Sequence, residues 1–212
     1  EELDKEIPEG WIAGSIDEIC DIEDGDRGKN YPKKEEFSND GYCLFLNAGN
    51  VTKSGFDFSN NSFVNKEKDE LLRKGKLKRK DVVMTTRGTV GNIGYYNDKL
   101  DFENVRINSG MVILRNPKIS FFLYTKMKSA EMKDLIMNHL SGSAQPQLPI
   151  TDIKRMEFPL PRKGSNLIEK FNSKVTPLQN SIDDKNLQIR YLNQLQSLFL
   201  SKMARVEENK LA

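Results

Sequence analysis

The chain has 212 residues, 30% of them charged and 37% hydrophobic, an ordinary balance for a soluble protein with one domain of about 150 residues and an extension. No apolar run approaches the roughly 20 residues that a membrane-spanning helix needs, and no signal-peptide pattern heads the sequence. The net charge of +2 hides an uneven spread, because residues 1–30 hold eleven acids against three bases while residues 66–81 hold eight Lys or Arg against four acids.

In chain order, Pro8-Glu9-Gly10 is turn chemistry, and Trp11, the only tryptophan, is expected to anchor the core. Residues 15–22 read as a short helix or the start of a strand, with Ser15 as a cap. Residues 24–32 form a charged, glycine-rich loop. It is not a phosphate-binding P-loop: no glycine precedes Gly28-Lys29 at the required spacing, and Asn30 stands where Ser or Thr is needed. Its Arg27, Lys29, Asn30 and Tyr31 suit contact with a phosphate backbone or base edges, and equally an ordinary surface loop.

Residues 42–47 read as a buried strand, 66–74 as an amphipathic helix and 82–86 as a strand rich in β-branched side chains. Gly88, Gly91 and Gly94 fall within strand-like sequence, which predicts bulges or the close approach of another backbone. Residues 111–114 read as a strand, 121–140 as a helix and 142–149 as an extended loop. Pro159-Leu160-Pro161 reads as a stiff link. The head is therefore α+β, with several short strands closed by a helix. Cys20 and Cys43 lack metal-ligand spacing and read as buried thiols of a reducing, cytoplasmic compartment.

Residues 166–206 follow a 3-4 alternation: Ile168, Phe171, Val175, Leu178, Ile182, Lys185, Ile189, Leu192, Gln196, Phe199, Met203 and Val206. Only Lys185 and Gln196 are not apolar. A period of 3.5 over this length predicts a coiled-coil seam. At 1.5 Å per residue, about 40 residues span about 60 Å, longer than a small domain, so the stripe needs a partner helix. Leu187, Leu195 and Leu198 add a second apolar edge, which suits a bundle or packing against the head. Asn166 and Glu169 have capping-box spacing. Pro177 predicts a kink, or a first segment that ends near Thr176.

No catalytic constellation is legible. His139 is the only histidine, lies in a predicted helix, and has no G-x-S-x-G motif to serve. Glu131-Met132-Lys133 has the Glu-x-Lys spacing of metal-dependent nucleases, but a helix splays those side chains apart. No zinc set and no dinucleotide loop is present; no metal and no cofactor is expected.

Taken in order, these segments resemble one half of a specificity subunit of type I restriction–modification enzymes. The resemblance rests on Pro8-Glu9-Gly10-Trp11; Leu77-Lys78-Arg79-Lys80-Asp81-Val82-Val83-Met84-Thr85-Thr86-Arg87-Gly88-Thr89-Val90-Gly91-Asn92; Ile107-Asn108-Ser109-Gly110; Gly142-Ser143-Ala144-Gln145-Pro146-Gln147-Leu148-Pro149; and Phe158-Pro159-Leu160-Pro161 ahead of the heptad helix. It implies a DNA target recognition domain over 1–161, with a twisted, partly barrel-like sheet and flanking helices, and a conserved coiled-coil spacer helix over 162–212. It implies a non-catalytic reader of half of a bipartite DNA target that scaffolds methylation and restriction subunits. Family members usually carry two heads and two antiparallel helices, and this sequence holds one of each. The expected assembly is an antiparallel homodimer, through a seam that includes Ile168, Phe171, Val175, Leu178, Ile182, Ile189, Leu192, Phe199 and Met203. The Glu-Gln pair common before the spacer helix is replaced by Ser165-Asn166.

Arg pairs with guanine, and Asn or Gln with adenine. Expected readers of double-stranded DNA are thus Arg27, Lys29, Asn30, Tyr31, Arg87, Thr89, Asn92, Arg106, Asn108, Gln145 and Gln147. Lys74, Lys76, Lys78 and Arg79 suit phosphates. Two readings compete: a coiled-coil scaffold with a protein-binding head, and a stand-alone nuclease or methyltransferase.

Overall fold

The computed structural model describes residues 7–142 and 146–211, with side-chain surroundings as far as Met203. It divides into two compact units, one ending at Ile168 and one beginning at Glu169.

The first unit is α+β, with its strands distributed over four small sheets, none of which closes into a barrel among the described residues. β1 (Trp11–Ser15) runs into a short helix, α1 (Ile16–Ile19), and then β2 (Asp21–Asp24). Ser15 is the N-cap, and its backbone N–H donates to Glu18 Oε2 at 3.2 Å. β3 (Cys43–Leu46) leads to a β4–β5 hairpin (Val51–Thr52, Gly55–Phe56), β6 (Phe63–Val64) and α2 (Lys66–Leu71). β7 (Val82–Thr85), β8 (Ile93–Tyr95), β9 (Val105–Ile107) and β10 (Met111–Arg115) follow. The central sheet has the order β2-β10-β7-β8, all antiparallel. A second sheet, β6-β3-β9, contains one parallel pair, β3 with β9.

Strand alternation explains the core. Leu44 and Leu46 of β3, Val105 and Ile107 of β9, Val83 of β7, and Met111 and Ile113 of β10 form one buried cluster with Val51, Leu77 and Tyr96. The other face of β3 gives Cys43 and Phe45 to a smaller cluster with Val64 and Leu72, against which Tyr31 and Phe37 pack. All of residues 111–114 are buried, so β10 is a near-continuous apolar run, as a strand covered on both faces must be.

The remaining elements correct several expectations. Trp11 is only half-buried, at the start of β1, and is not part of the core. The helix expected over 121–140 is two, α3 (Ser120–Met127) and α4 (Ala130–Asn138). Ser129 divides them, its side chain accepting from Met132 N–H as the N-cap of α4. A further helix, α5 (Ile150–Arg155), packs against α1 and β2. The expected proline link is a strand, β11 (Glu157–Pro161), paired antiparallel with β1 in a two-stranded sheet. Proline is compatible with such an edge, where its missing N–H is not required by a second neighbour.

The second unit is the body of α6 (Leu167–Leu211), one continuous helix with Pro177 inside it. No segment ends near Thr176. Proline removes a single intrahelical bond, and the rest of a 45-residue helix, which continues on both sides of it, absorbs the loss. The chain enters α6 with Ser165 Oγ accepting from Leu167 N–H at 3.1 Å. Along the expected seam Ile168, Phe171 and Val175 are half-buried, while Leu178, Ile182, Ile189, Leu192, Phe199 and Met203 are exposed.

Candidate nucleic-acid interface

Strand register brings together three loops that are distant in sequence. β2 ends at Asp24, opposite Val112, and β10 begins at Met111, opposite Thr85, the last residue of β7. β8 begins at Ile93, opposite Met84. The loop after β2, the turn before β10 and the β7–β8 loop therefore leave the same end of the central sheet. Gln147 and Leu148 join them: Gln147 bridges to Arg87 and to Ser141, and Leu148 N–H donates to Thr86 O at 3.0 Å.

Local chemistry fixes these loops against each other. A Cβ on Gly25 would lie 2.0 Å from Asn108 O, so only glycine permits the approach of the two backbones. Arg27 Nη2 donates to Ser109 O at 3.2 Å. The Tyr31 ring packs edge-on against Phe45, with centroids 5.7 Å apart. Burial pushes its phenol up, and hydrogen bonding to Ser109 acts in the opposite sense. Asn108 Oδ1 accepts from Gly110 N–H at 2.9 Å, which closes the turn before β10. In the β7–β8 loop, Thr85 Oγ1 donates to Thr89 O, and Gly88 and Gly91 take φ of +72° and +84°. These are left-handed values suited to glycine, so the glycines build a turn rather than strand bulges.

The expected DNA contacts divide on this geometry. Arg27, Lys29, Thr89 and Gln147 are exposed at the loop end of the sheet, with Asn30, Tyr31, Arg87 and Asn108 half-buried beside them. Asn92 belongs to the same loop, but its side-chain amide donates to Val51 O at 2.8 Å. Gln145 lies outside the described residues. Arg106 is not at the surface. It is 6% exposed, with Nε donating to Asp69 Oδ1 at 2.5 Å and its other nitrogens held by Lys74 O, Asp69 O and Leu72 O. Guanidinium donors consumed in this way are unavailable to a base, so Arg106 ties α2 to β9 instead.

The basic segment 66–81 is likewise largely neutralised from within. Lys76 Nζ lies 2.6 Å from Asp69 Oδ2 and 3.1 Å from Asn104 Oδ1. Lys68 pairs with Glu36 at 2.6 Å and Lys74 with Asp24 at 3.0 Å. Arg79 donates to Asn97 O and Phe102 O and lies over the Tyr96 ring. Lys78 is exposed, but it and Arg79 precede β7 and so lie at the other end of the central sheet from Arg87. The acid-rich N-terminal stretch and this basic stretch are thus partners in one fold. Glu23 and Asp81 together hold Arg115, at 2.9 and 2.7 Å.

Neither thiol is poised to react, since burial pushes Cys20 and Cys43 up to about 12. His139 ends α4, its Nδ1 2.9 Å from Leu135 O. None of the described helices is long and apolar enough to cross a membrane.

Residues 8–190 match the family described as the type I restriction modification DNA specificity domain. The chain belongs to that family. It is 27% identical over 218 residues to the type I restriction enzyme MjaIX specificity subunit of Methanocaldococcus jannaschii. The alignment covers 98% of this chain and 48% of that relative, so the chain spans about half the relative's length. Among solved structures, the fold is similar to a type I restriction–modification S subunit from M. genitalium, with a TM-score of 0.57 and 16% identity over 87% of this chain and 42% of that one. It is similar also to the HsdS subunit from Thermoanaerobacter tengcongensis, with a TM-score of 0.55 and 19% identity over 84% and 38%.

Proposed function

We propose that this chain is a sequence-specific DNA-binding specificity subunit, or half of one, in a type I restriction–modification system. Residues 1–161 act as the target recognition domain and residues 162–212 as the spacer helix. The reading rests on one conjunction: membership of the specificity-domain family and the convergence, at one end of the central sheet, of three loops carrying Arg27, Asn30, Arg87 and Asn108, with Gln147 bridged to Arg87. Side chains of these types offer the bidentate donors and acceptors that read base edges, and a strand scaffold fixes their positions.

On this reading the chain has no catalytic role. It works in the cytoplasm with methylation and restriction subunits that carry out the chemistry on DNA. The apolar stripe of α6 takes the same stripe of a second copy, antiparallel, giving a homodimer with a head at each end. Arg87, half-buried beside Gln147, is the reader for which the loop geometry argues most strongly. Arg87→Ala should lower binding to a selected duplex by about ten- to a hundredfold, corresponding to about 1–3 kcal/mol for a lost bidentate pair, while binding to random duplex changes little. Equal loss on both duplexes would remove Arg87 from base reading. No binding of the unaltered protein to any duplex would overturn the proposed function.

A further inference from the structure

A concavity of about 330 Å³ opens beside the first loop, lined by Asp26, Gly28, Lys29, Asn30 and Arg73. Its floor is already committed. Asp26 is 4% exposed and accepts from Gly28 N–H at 2.7 Å and Arg73 N–H at 2.8 Å. Its rim is not. Arg73 is exposed, and its guanidinium reaches over Gly28, where an added Cβ would lie 3.1 Å from Nη2. The Lys29 ammonium has no hydrogen-bonding or ion-pair partner among the described residues, and the Arg73 guanidinium feels the charge of Asp26 without a side-chain hydrogen bond or close ion pair, whereas Arg27, Lys68, Lys74 and Lys76 nearby are all paired.

We propose that Arg73 and Lys29 form a phosphate cradle at the edge of the reading loops, which receives one backbone phosphate of the bound DNA. The inference rests on the DNA-binding function proposed above and deepens it. Two cations on one rim, over a floor whose single carboxylate is engaged by backbone N–H groups, leave a net positive concavity. Arg supplies a planar fork for phosphate oxygens and Lys a point charge. The cradle carries no base information. It fixes the register of the duplex, so that Arg87 and Gln147 meet base edges. Lys29 thereby moves from base reading to positioning, and Arg73 enters the interface on burial and pairing alone, since its residue type did not set it apart from seven other cations in the same segment.

The test compares Arg73→Ala, Lys29→Ala and Arg73→Lys with the unaltered protein on a selected and a random duplex across a salt series. Each Ala variant should lose about five- to tenfold in affinity at 0.1 M salt on both duplexes, and the salt slope should flatten by about one per lost contact. Arg73→Lys, which keeps the charge, should retain the slope. Replacing single phosphates by uncharged methylphosphonates should weaken the unaltered protein at one linkage and leave Arg73→Ala indifferent there. Inorganic phosphate at constant ionic strength should compete no better than chloride, because the occupant is a duplex phosphate; selective competition would make this a free-anion site and overturn the assignment. So would an unchanged salt slope in Arg73→Ala while the unaltered protein binds DNA, or a loss confined to the selected duplex. Failure of the unaltered protein to bind any duplex would instead strike the proposed function itself.

Discussion

The two units of this protein handle apolar and charged side chains in opposite ways. In the head, β10 has every residue from Met111 to Leu114 buried, and even charges are taken inside and paired, as with Arg106 on Asp69 and Arg115 on Asp81. In α6, Leu178, Ile182, Leu192, Phe199 and Met203 are each more than half exposed. A side chain of this size contributes roughly 1.5–3 kcal/mol when fully buried, so the several left uncovered on this helix support the partner proposed for it. The head is specified by its own contacts, and the helix, on the proposed reading, by contacts with another molecule. On the function proposed above, recognition belongs to the first and assembly to the second.

The sharpest way to break this comparison is through a buried charge in the head. Asp69→Ala leaves Arg106 inside the fold without its carboxylate, which costs about 3–5 kcal/mol, enough to unfold a marginal domain. Urea unfolding followed by Trp11 fluorescence measures it, and a loss under about 1 kcal/mol would contradict the structural role assigned to Arg106. The same pair sets a pH dependence. Burial opposes ionisation of Asp69, but hydrogen bonds from Lys76 and Arg106 outweigh it and hold the carboxyl below its ordinary 3.8. The folded value is depressed, so the stabilisation is fully present above the unfolded value and is lost as pH falls through the folded one. Asp26 behaves in the same way, with its burial outweighed by the backbone N–H groups of Gly28 and Arg73. The head should therefore hold its stability above about pH 5 and lose it progressively below about pH 4, and Asp69→Asn should flatten that loss. The smallest effect on the head is expected from the helix. Leu192→Asp should change head unfolding by less than about 0.5 kcal/mol while converting the assembly to monomers in sedimentation. A head destabilised by several kcal/mol would mean that the two units are not independent.

What the sequence disclosed follows the same division. The heptad stripe of α6 was legible because a local period carries it, and β7 and β10 because β-branched and apolar runs need no distant information. β11 was hidden: two prolines in five residues read as a link, and its partner β1 lies at the other end of the head. Arg106 and Arg87 were indistinguishable by residue type. Only the fold places one beside Asp69, 37 positions away, and the other on a loop. Arg73 was lost among its charged neighbours for the same reason, since a cation's availability depends on which carboxylates the fold brings to it. The glycines after β7 announced special backbone, but not that Gly88 and Gly91 would build a left-handed turn.

The central claim, that the loop end of the head reads DNA while the helix pairs two heads, meets its most direct test in selection of duplexes from a random pool by the purified protein. Two identical heads under a two-fold axis must read inverted copies of one half-site, so the selected duplexes should share an interrupted palindrome with a fixed gap. A contiguous site, two unrelated halves or no enrichment would contradict the account.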